Sequence, residues 1–309
     1  MKIFLPHFNL IEFRFMNFKN LVFSLLFPCF LEAGGMVWKI KEAPIYIAGT
    51  LHLLKSTDFP LPPEYEEAYQ ATQQIYFETD LETLKKPESL AAIARSSLLP
   101  NGQNLETILS KKTVEDLKKA AVAAKIPWES ISKMKPWMAA TMILMHDLKK
   151  KGFEPEKGVE HYFLDRALQD RKSRGGLEIF KDHLKAMNAF DSLAIESTEQ
   201  FSKEFNKTTD QLQLIINAWK SGDTVSLEKL TIEEIKATSP DLLVALLVDR
   251  NYRWVPTIKK LILLKKPTLI LVGSGHLIGK ENLIELLQGE SLSLERLTTA
   301  PKPQAQPQP

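Results

Sequence analysis

Two histidines follow a glycine at the same spacing, in Gly49-Thr50-Leu51-His52 and Gly273-Ser274-Gly275-His276. The residues before each glycine, 45–48 and 268–272, are short apolar runs with the length and composition of buried strands. Glycine allows a sharp turn after a strand, and imidazole is the commonest metal ligand and titrates near neutral pH. We therefore predict that the two histidines lie at one edge of a sheet and serve one site.

A glutamate ends a third short apolar run. Glu78 closes residues 75–78, and burying its carboxylate would be costly without a cation or hydrogen-bond donors. His52, His276 and Glu78 together form a suitable ligand set for a divalent metal ion, with positions left open for water. Spacing alone is equally compatible with Glu78 as a solvent-exposed acid at the end of a strand.

Helical segments supply the other candidates. Arg250 stands beside Asn251 and near Trp254, where it could bind a substrate carboxylate or stabilise an oxyanion. The competing interpretation is an arginine on the surface of a helix. Glu160 begins a helix, where it could be a metal ligand, a general base or an acceptor for backbone N–H groups. Glu78, Glu160 and Arg250 are therefore the candidate catalytic residues.

The order of the elements indicates how these residues meet. Residues 37–78 are typical of a β-β-loop-α-β arrangement, residues 81–264 are helical nearly throughout, and residues 268–297 return to strand, helix and strand. Neither end can bury its strands alone, so we expect both to share one sheet, with a crevice beyond the carboxyl ends of its strands. The predicted fold is α/β (α+β), with a central mixed β-sheet built from N- and C-terminal segments and a large helical insertion.

Glycines and prolines inside the insertion predict two interruptions. Gly175-Gly176 is expected to break the chain before a short strand at 177–180. The long helix at 240–264 is expected to break near Asn251 or Pro256.

Composition excludes some classes of function. Lys and Arg number 40 against 38 Asp and Glu, a formal net charge of +2, so nothing favours nucleic acid as a partner. The single cysteine, Cys29, rules out a disulfide within the chain. No G-x-S-x-G, H-E-x-x-H or phosphate-binding loop occurs, and Ser274 lacks the surroundings of a nucleophilic serine.

The first 35 residues are typical of an export leader. Arg14 and Lys19 precede an apolar run at 21–31, and the small residues Ala33-Gly34-Gly35 follow. The run is too short to span a bilayer comfortably, so the mature chain, 36–300, should have no stable membrane span. We expect a periplasmic or secreted protein; an uncleaved segment would instead be an apolar helix that packs on the chain or associates it with a membrane. Residues 301–309 have the composition of a disordered tail.

These features resemble the TraB/GumN family, which includes TIKI-type proteases. The similar stretches occur in the family's order across residues 37–297: 46–52, 158–160, 177–178, 249–254 and 272–277, with Glu78 after its strand. The resemblance implies an α/β core with inserted helices, one site, and a metal-dependent peptidase activity that prefers Mn or Co to Zn.

The resemblance also implies roles for single residues. His52, Glu78 and His276 match the family's essential residues, and Arg250 matches its essential arginine. Asn251 follows that arginine as in the family, and with Trp254 it becomes a candidate for substrate binding.

Two functions from different classes are compatible with this sequence. The first is an exported metal-dependent hydrolase that acts on a peptide or protein substrate. The alternative is a non-catalytic protein that sequesters a peptide, haem or metal in the same cleft. A purely structural role for the two histidines is a third interpretation, in which neither contributes to metal uptake.

Overall fold

A single mixed sheet organises the chain. The computed structural model describes residues 34–193 and 208–298, so nearly all of the expected leader and the expected tail at 301–309 lie outside the described residues. Six strands form the sheet, in the order β4-β3-β5-β2-β1-β6. In chain order they are β1 Val37–Ile40, β2 Ile45–Thr50, β3 Gln74–Thr79, β4 Ser173–Glu178, β5 Thr268–Gly273 and β6 Leu294–Arg296.

The directions of the strands confirm the predicted fold. β4, β3, β5 and β2 are parallel, whereas β1 runs antiparallel to both β2 and β6. In the sheet, C-terminal β5 lies between N-terminal β3 and β2, and C-terminal β6 lies beside β1. Helices fill most of the chain between the two ends. The α/β prediction, with a mixed central sheet shared by both ends of the chain, is therefore correct.

The pairing of β2 with β5 brings the two glycine-histidine turns side by side. Gly49 pairs with Val272 and Thr50 with Gly273, so both turns leave the sheet at the same edge within one residue of each other. β3 pairs with β5 on its other side, which brings Glu78 to that edge as well. Both β2 and the first five residues of β5 are buried, as expected for strands covered on both faces.

Helices surround this sheet. They are α1 Pro63–Gln70, α2 Leu81–Leu84, α3 Pro87–Ser96, α4 Leu105–Ile108, α5 Lys111–Ala123, α6 Trp128–Ile131, α7 Pro136–Lys150, α8 Val159–Gln169, α9 Phe180–Asn188, α10 Thr208–Ser221, α11 Thr224–Leu227, α12 Glu233–Thr238, α13 Pro240–Leu243, α14 Asp249–Leu264 and α15 Leu283–Gly289. The main core packs against the sheet, and a smaller apolar cluster that includes Leu105, Leu117 and Ile143 joins α4, α5 and α7. Within residues 34–193 and 208–298, no helix combines the length and apolar character that crossing a membrane requires.

The insertion contributes a strand where the sequence predicted a break. Gly175 and Gly176 lie inside β4. A Cβ atom on Gly175 would lie 2.7 Å from the ring of Tyr76, and one on Gly176 would lie 2.6 Å from the backbone nitrogen of Asp80. The two glycines therefore permit close packing of β4 against β3 and the residues after it, and do not interrupt the chain.

The long helix before β5 also differs from its prediction. It continues through Asn251 and Pro256, and the irregularity lies earlier, in a π-helical turn at Val244–Val248 between α13 and α14. Pro256 has no N–H to donate to the Tyr252 carbonyl, so the helix continues without that one hydrogen bond. The π turn directly precedes Arg250, and such turns occur frequently at functional sites.

Candidate active site at the carboxyl ends of the parallel strands

A carboxylate lies beside the first glycine-histidine turn, and only one of its two oxygens has hydrogen-bond partners among the described residues. Glu160, in the first turn of α8, accepts a hydrogen bond at Oε1 from the Thr50 hydroxyl, and His52 Nδ1 lies 2.9 Å from the same oxygen. The Glu160 side chain is 9% exposed, and its Oε2 is buried with no hydrogen-bond partner among the described residues. A buried carboxylate oxygen without a partner is costly, so this atom marks a place for a cation, a water or a substrate.

Charge couples Glu160 to His52. The Glu160 carboxylate raises the pKa of His52 above its ordinary value. Burial is the largest influence on the pKa of Glu160 and opposes its ionisation. The positive charge of His52 and the hydrogen bonds from His52 and Thr50 together outweigh it, so the pKa of Glu160 is lowered. His52 itself remains 74% exposed, and a side chain in this position can reach a ligand that approaches from solvent.

Gly158 sets the position of α8. The Val159 N–H donates to the Leu51 carbonyl at 3.1 Å, which joins the helix start to the first turn. A Cβ atom on Gly158 would collide with the His52 carbonyl group. Glycine is therefore required here, and it brings Glu160 within reach of His52.

The two turns are bonded directly to each other. The Ser274 hydroxyl donates to the Thr50 carbonyl at 2.8 Å. Next to it, the Gly49 carbonyl accepts hydrogen bonds from the Tyr65 hydroxyl and, at 2.9 Å, from Trp219 Nε1. Ser274 is buried, and its proton is committed to this contact. The structure therefore gives Ser274 the role of joining the turns.

The second turn holds His276 in a defined tautomer. Asn251 Nδ2 donates to the Glu281 carbonyl at 3.0 Å, which turns Asn251 Oδ1 toward His276. His276 Nδ1 lies 2.6 Å from that oxygen and therefore donates its proton to it. Burial lowers the pKa of His276 to about 4, so the ring is neutral at neutral pH. Its Nε2 lone pair then faces Arg250 and Glu78.

Asn251 and Trp254, which were predicted to bind substrate, are both buried. Trp254 packs against the His276 ring in a tilted arrangement with 4.4 Å between ring centroids, and its Nε1 donates to Glu178 at 3.1 Å. The geometry thus assigns these two side chains to holding His276 and Glu178, and contact with a substrate stays a prediction.

Arg250 is the centre of the buried charges. Its Nε donates to Glu178 at 3.1 Å, and one terminal nitrogen donates at 2.6 Å both to Glu78 and to Glu178. The other terminal nitrogen donates to the Leu246 carbonyl at 3.2 Å and lies 3.3 Å from His276 Nε2. A guanidinium group has five N–H donors, and all five of these are engaged. An arginine that clamps a substrate would first have to release one of them.

Glu78 is likewise engaged through both oxygens. One oxygen accepts from the Gly273 N–H at 2.7 Å and the other from Arg250. Burial is the largest influence on the pKa of Glu78 and opposes its ionisation. The charges of Arg250 and the two histidines, with the Gly273 N–H, together outweigh it and hold the pKa of this carboxyl well below its usual range. Glu78 is thus a largely buried anion with protein partners, its side chain 14% exposed, and the interpretation as a solvent-exposed acid is wrong.

Glu178 and His183 belong to this charged group, although neither was predicted as a site residue. The sequence placed Glu178 only within a stretch that resembles the family, and it favoured His183 as a solvated helix residue. The Glu178 side chain is 2% exposed, and it accepts from Arg250 and from His183 Nδ1, the latter at 3.1 Å. Glu178 ends β4 one strand away from Glu78, so the signal was the same as for Glu78, an acid at the end of a strand. Because Gly175-Gly176 was predicted to break the chain, Glu178 was not recognised as an acid at the end of a strand.

Among residues 34–193 and 208–298, two sets of side chains could hold a divalent metal. Glu78, Glu178 and His183 offer ligand atoms within 4.8 Å of one another, but Arg250 already bonds to both of these carboxylates. The second set is Glu160 and His52, where the free Oε2 lies. Its groups, a carboxylate and an imidazole, are of the kinds that bind divalent cations, so the residues present fit a metal ion. Because Glu160 raises the pKa of His52 and a metal-bound imidazole is neutral, a bound ion would have to displace the His52 proton.

The predicted ligands therefore fall into two neighbouring groups. His276, Glu78 and Arg250 contact one another, whereas His52 contacts Glu160. The groups act on each other through charge, since Glu78 raises the pKa of His52 and His52 lowers that of His276. Shared coordination of one ion by His52, His276 and Glu78 stays a prediction.

Comparisons with known proteins show the family that the chain matches. The model of the TraB/PrgY/gumN family matches residues 36–296. "Metalloprotease TIKI1" of Danio rerio is 22% identical over 85% of this chain and 63% of its own length, and the Homo sapiens protein of that name is 22% identical over 85% and 62%. "Metalloprotease TIKI2" of Xenopus tropicalis is 21% identical over 89% and 63%. The chain thus spans less than two thirds of these relatives. No solved structure matches it.

Replacing Arg250 with methionine should destabilise the protein, because Glu78 and Glu178 would be left as buried anions. Breaking a buried ion pair on one side costs roughly 3–5 kcal/mol of unfolding free energy. The two carboxyls have lowered pKa values in the folded chain. Their ion pairs with Arg250 therefore stabilise the fold fully above the ordinary glutamate pKa of 4.5. This stabilisation is lost as the pH falls from 4.5 through the lowered pKa values. Urea unfolding at pH 7 and at acidic pH should show a large difference from wild type that narrows in acid.

Arg253→Met is the matched control, since Arg253 lies three residues away in the same helix and is exposed. It should unfold close to wild type. Equal losses in the two variants would contradict the role assigned to Arg250.

Gly158→Ala should separate α8 from the first turn, because the added methyl group collides with the His52 carbonyl. We expect a loss of about 1–3 kcal/mol in unfolding free energy from overpacking, together with weaker binding of added Mn²⁺. Gly289→Ala is the control, since a Cβ atom there meets nothing within 4 Å. Wild-type Mn²⁺ affinity in folded Gly158→Ala would show that the position of α8 does not matter to the site.

Proposed function

The chain belongs to the TraB/PrgY/gumN family, and we propose that it is a metal-dependent hydrolase that cleaves peptide or protein substrates. The relatives at about 22% identity carry the name metalloprotease. The observation that carries the proposal is the buried, unpartnered Oε2 of Glu160 beside the exposed His52. It lies beyond the carboxyl ends of parallel strands, where α/β sheets bind their ligands.

The contacts of the two glutamates favour different roles for them. Glu78 has both oxygens engaged by Gly273 and Arg250, so it serves to keep a negative charge beside His276. Glu160 keeps one oxygen free, so it can act as a metal ligand or as the base that takes a proton from an attacking water. General base catalysis by such a group typically contributes 10²–10⁴-fold in rate.

Arg250 acts mainly through these neighbours. Its N–H donors hold Glu78 and Glu178 in place, and they bring the positive charge of the guanidinium close to His276. The low pKa of His276 keeps its Nε2 lone pair available. This arrangement leaves His276 able to bind a cation at Nε2, once the contact of that atom with Arg250 is released.

The metal would be held by His52 and Glu160, with His276 and Glu78 joining once their contacts to Arg250 loosen. When bound, a divalent ion supplies Lewis acidity, which polarises a substrate carbonyl and acidifies water. The candidate donors are nitrogen and oxygen, without a thiolate, and carboxylate oxygens suit Mn²⁺. With the family resemblance, this favours Mn or Co over Zn.

Substitution of His52 or Glu160 should abolish hydrolysis. Purified chain without the leader would be incubated with Mn²⁺ and a mixture of unstructured peptides, and products would be identified by mass spectrometry. We expect His52→Ala and Glu160→Gln to lose at least about 100-fold in rate. A chelator should stop wild-type cleavage, and Mn²⁺ or Co²⁺ should restore it better than Zn²⁺.

His161→Ala is the control, because His161 neighbours Glu160 but points to another side of the helix. It should cleave peptides at the wild-type rate. Full activity in both His52→Ala and Glu160→Gln would refute the proposal. Stoichiometric binding of peptide or haem without products would favour the sequestering protein instead.

We further propose that residues 1–35 direct export to the periplasm or the medium. The basic residues, the apolar run at 21–31 and the small residues after it support this proposal. In a bacterial host, exported protein should begin near residue 36 by N-terminal sequencing. Leu25→Arg should block export, whereas Asn9→Arg, outside the apolar run, should not. Full-length wild-type chain confined to the cytosol would contradict the leader.

A further inference from the structure

We infer that the Thr50 hydroxyl is a positioning group for Glu160, which fixes the carboxylate through Oε1 and thereby presents Oε2 to the ligand of the site. This inference rests on the proposed function for the identity of the ligand, a divalent cation, but the orientation of Glu160 can be observed without it. Thr50 is the last residue of β2 and is 2% exposed.

The direction of the hydrogen bond follows from chemistry. An ionised carboxylate can only accept, so the Thr50 hydroxyl donates its single proton to Glu160 Oε1. His52 Nδ1 lies on the same oxygen, at 2.9 Å. Two donors therefore converge on Oε1, while Oε2 has no partner among the described residues. A carboxylate held through one oxygen by two donors cannot rotate without losing both.

The backbone of Thr50 is fixed from both sides. Thr50 pairs with Gly273 in β5, and its carbonyl accepts the Ser274 hydroxyl at 2.8 Å. A β-branched side chain on a fixed strand also has few rotamers. The position of the hydroxyl is therefore determined by the junction of the two glycine-histidine turns, and through it the second turn influences the carboxylate beside the first.

A merely structural role is the competing explanation, since any buried hydrogen bond contributes to stability. Thr268 offers a matched comparison. It is a fully buried threonine at the opposite end of β5, where its hydroxyl donates to the Lys266 carbonyl at 2.7 Å and accepts from Gln74 at 2.6 Å. Thr268→Val and Thr50→Val remove the same group from the same sheet, but only the second removal touches Glu160.

The test compares wild type with Thr50→Val, Thr50→Ser and Thr268→Val by titration with Mn²⁺, followed through the electron paramagnetic resonance signal of the free ion. Loss of a group that orients a ligand typically costs 10–100-fold in metal affinity. We expect Thr50→Val to bind Mn²⁺ at least about 10-fold more weakly. Thr50→Ser keeps the hydroxyl and should bind nearly as wild type, and Thr268→Val should keep its affinity even if it melts at a lower temperature.

Crystal structures of the metal-free wild type and variants give a second result that does not depend on binding. The Glu160 carboxylate should keep its contact with His52 in Thr50→Ser and rotate away in Thr50→Val. If the wild type binds no Mn²⁺, the proposed function fails and the crystal structures still decide this inference. An unmoved Glu160 in Thr50→Val, or equal loss of affinity in folded Thr50→Val and Thr268→Val, would overturn it.

Discussion

Two carboxylates, a backbone carbonyl and an imidazole converge on the guanidinium of Arg250. Without that positive charge, the carboxyl end of the sheet would hold Glu78 and Glu178 as buried anions in neighbouring parallel strands. Their mutual repulsion and desolvation would each oppose folding. The same guanidinium faces His276 and stacks over Trp254, 4.7 Å from the ring centroid. The arrangement of the site therefore depends on one side chain delivered by α14.

Once this charge is fixed, the two halves of the site can differ. On the Arg250 side, donors and acceptors satisfy one another, and the groups are held rigidly. On the Glu160 side, a buried oxygen remains without a partner and His52 is exposed. Binding sites combine supporting groups whose contacts are complete with a few groups left for the ligand. The Glu160 side is thus where a cation or substrate would add contacts. The hydrogen bond from the Ser274 hydroxyl to the Thr50 carbonyl holds the two turns, and so the two sides, at a fixed distance.

The sequence predicted which strand ends form this site better than it predicted the side-chain contacts within the site. Apolar runs before Gly49 and Gly273 were sufficient to place both turns at one sheet edge, because parallel strands that share a sheet end on the same side. Glu78 could be placed there by the same reasoning. The double glycine in β4 hid Glu178, since glycine usually signals a break and here permits close contact with Tyr76. The contacts of Arg250 and the bond from Thr50 to Glu160 join residues far apart in the chain, and no local pattern encodes such distances.

The most direct test of a single site is the Mn²⁺ affinity of wild type, His52→Ala and His276→Ala, with circular dichroism to confirm that each variant is folded. If the two glycine-histidine turns serve one metal site, wild type binds one ion per chain, and either substitution weakens binding by about 10-fold or more. Wild-type affinity in either folded variant would show that its histidine does not belong to the metal site, and would contradict the account.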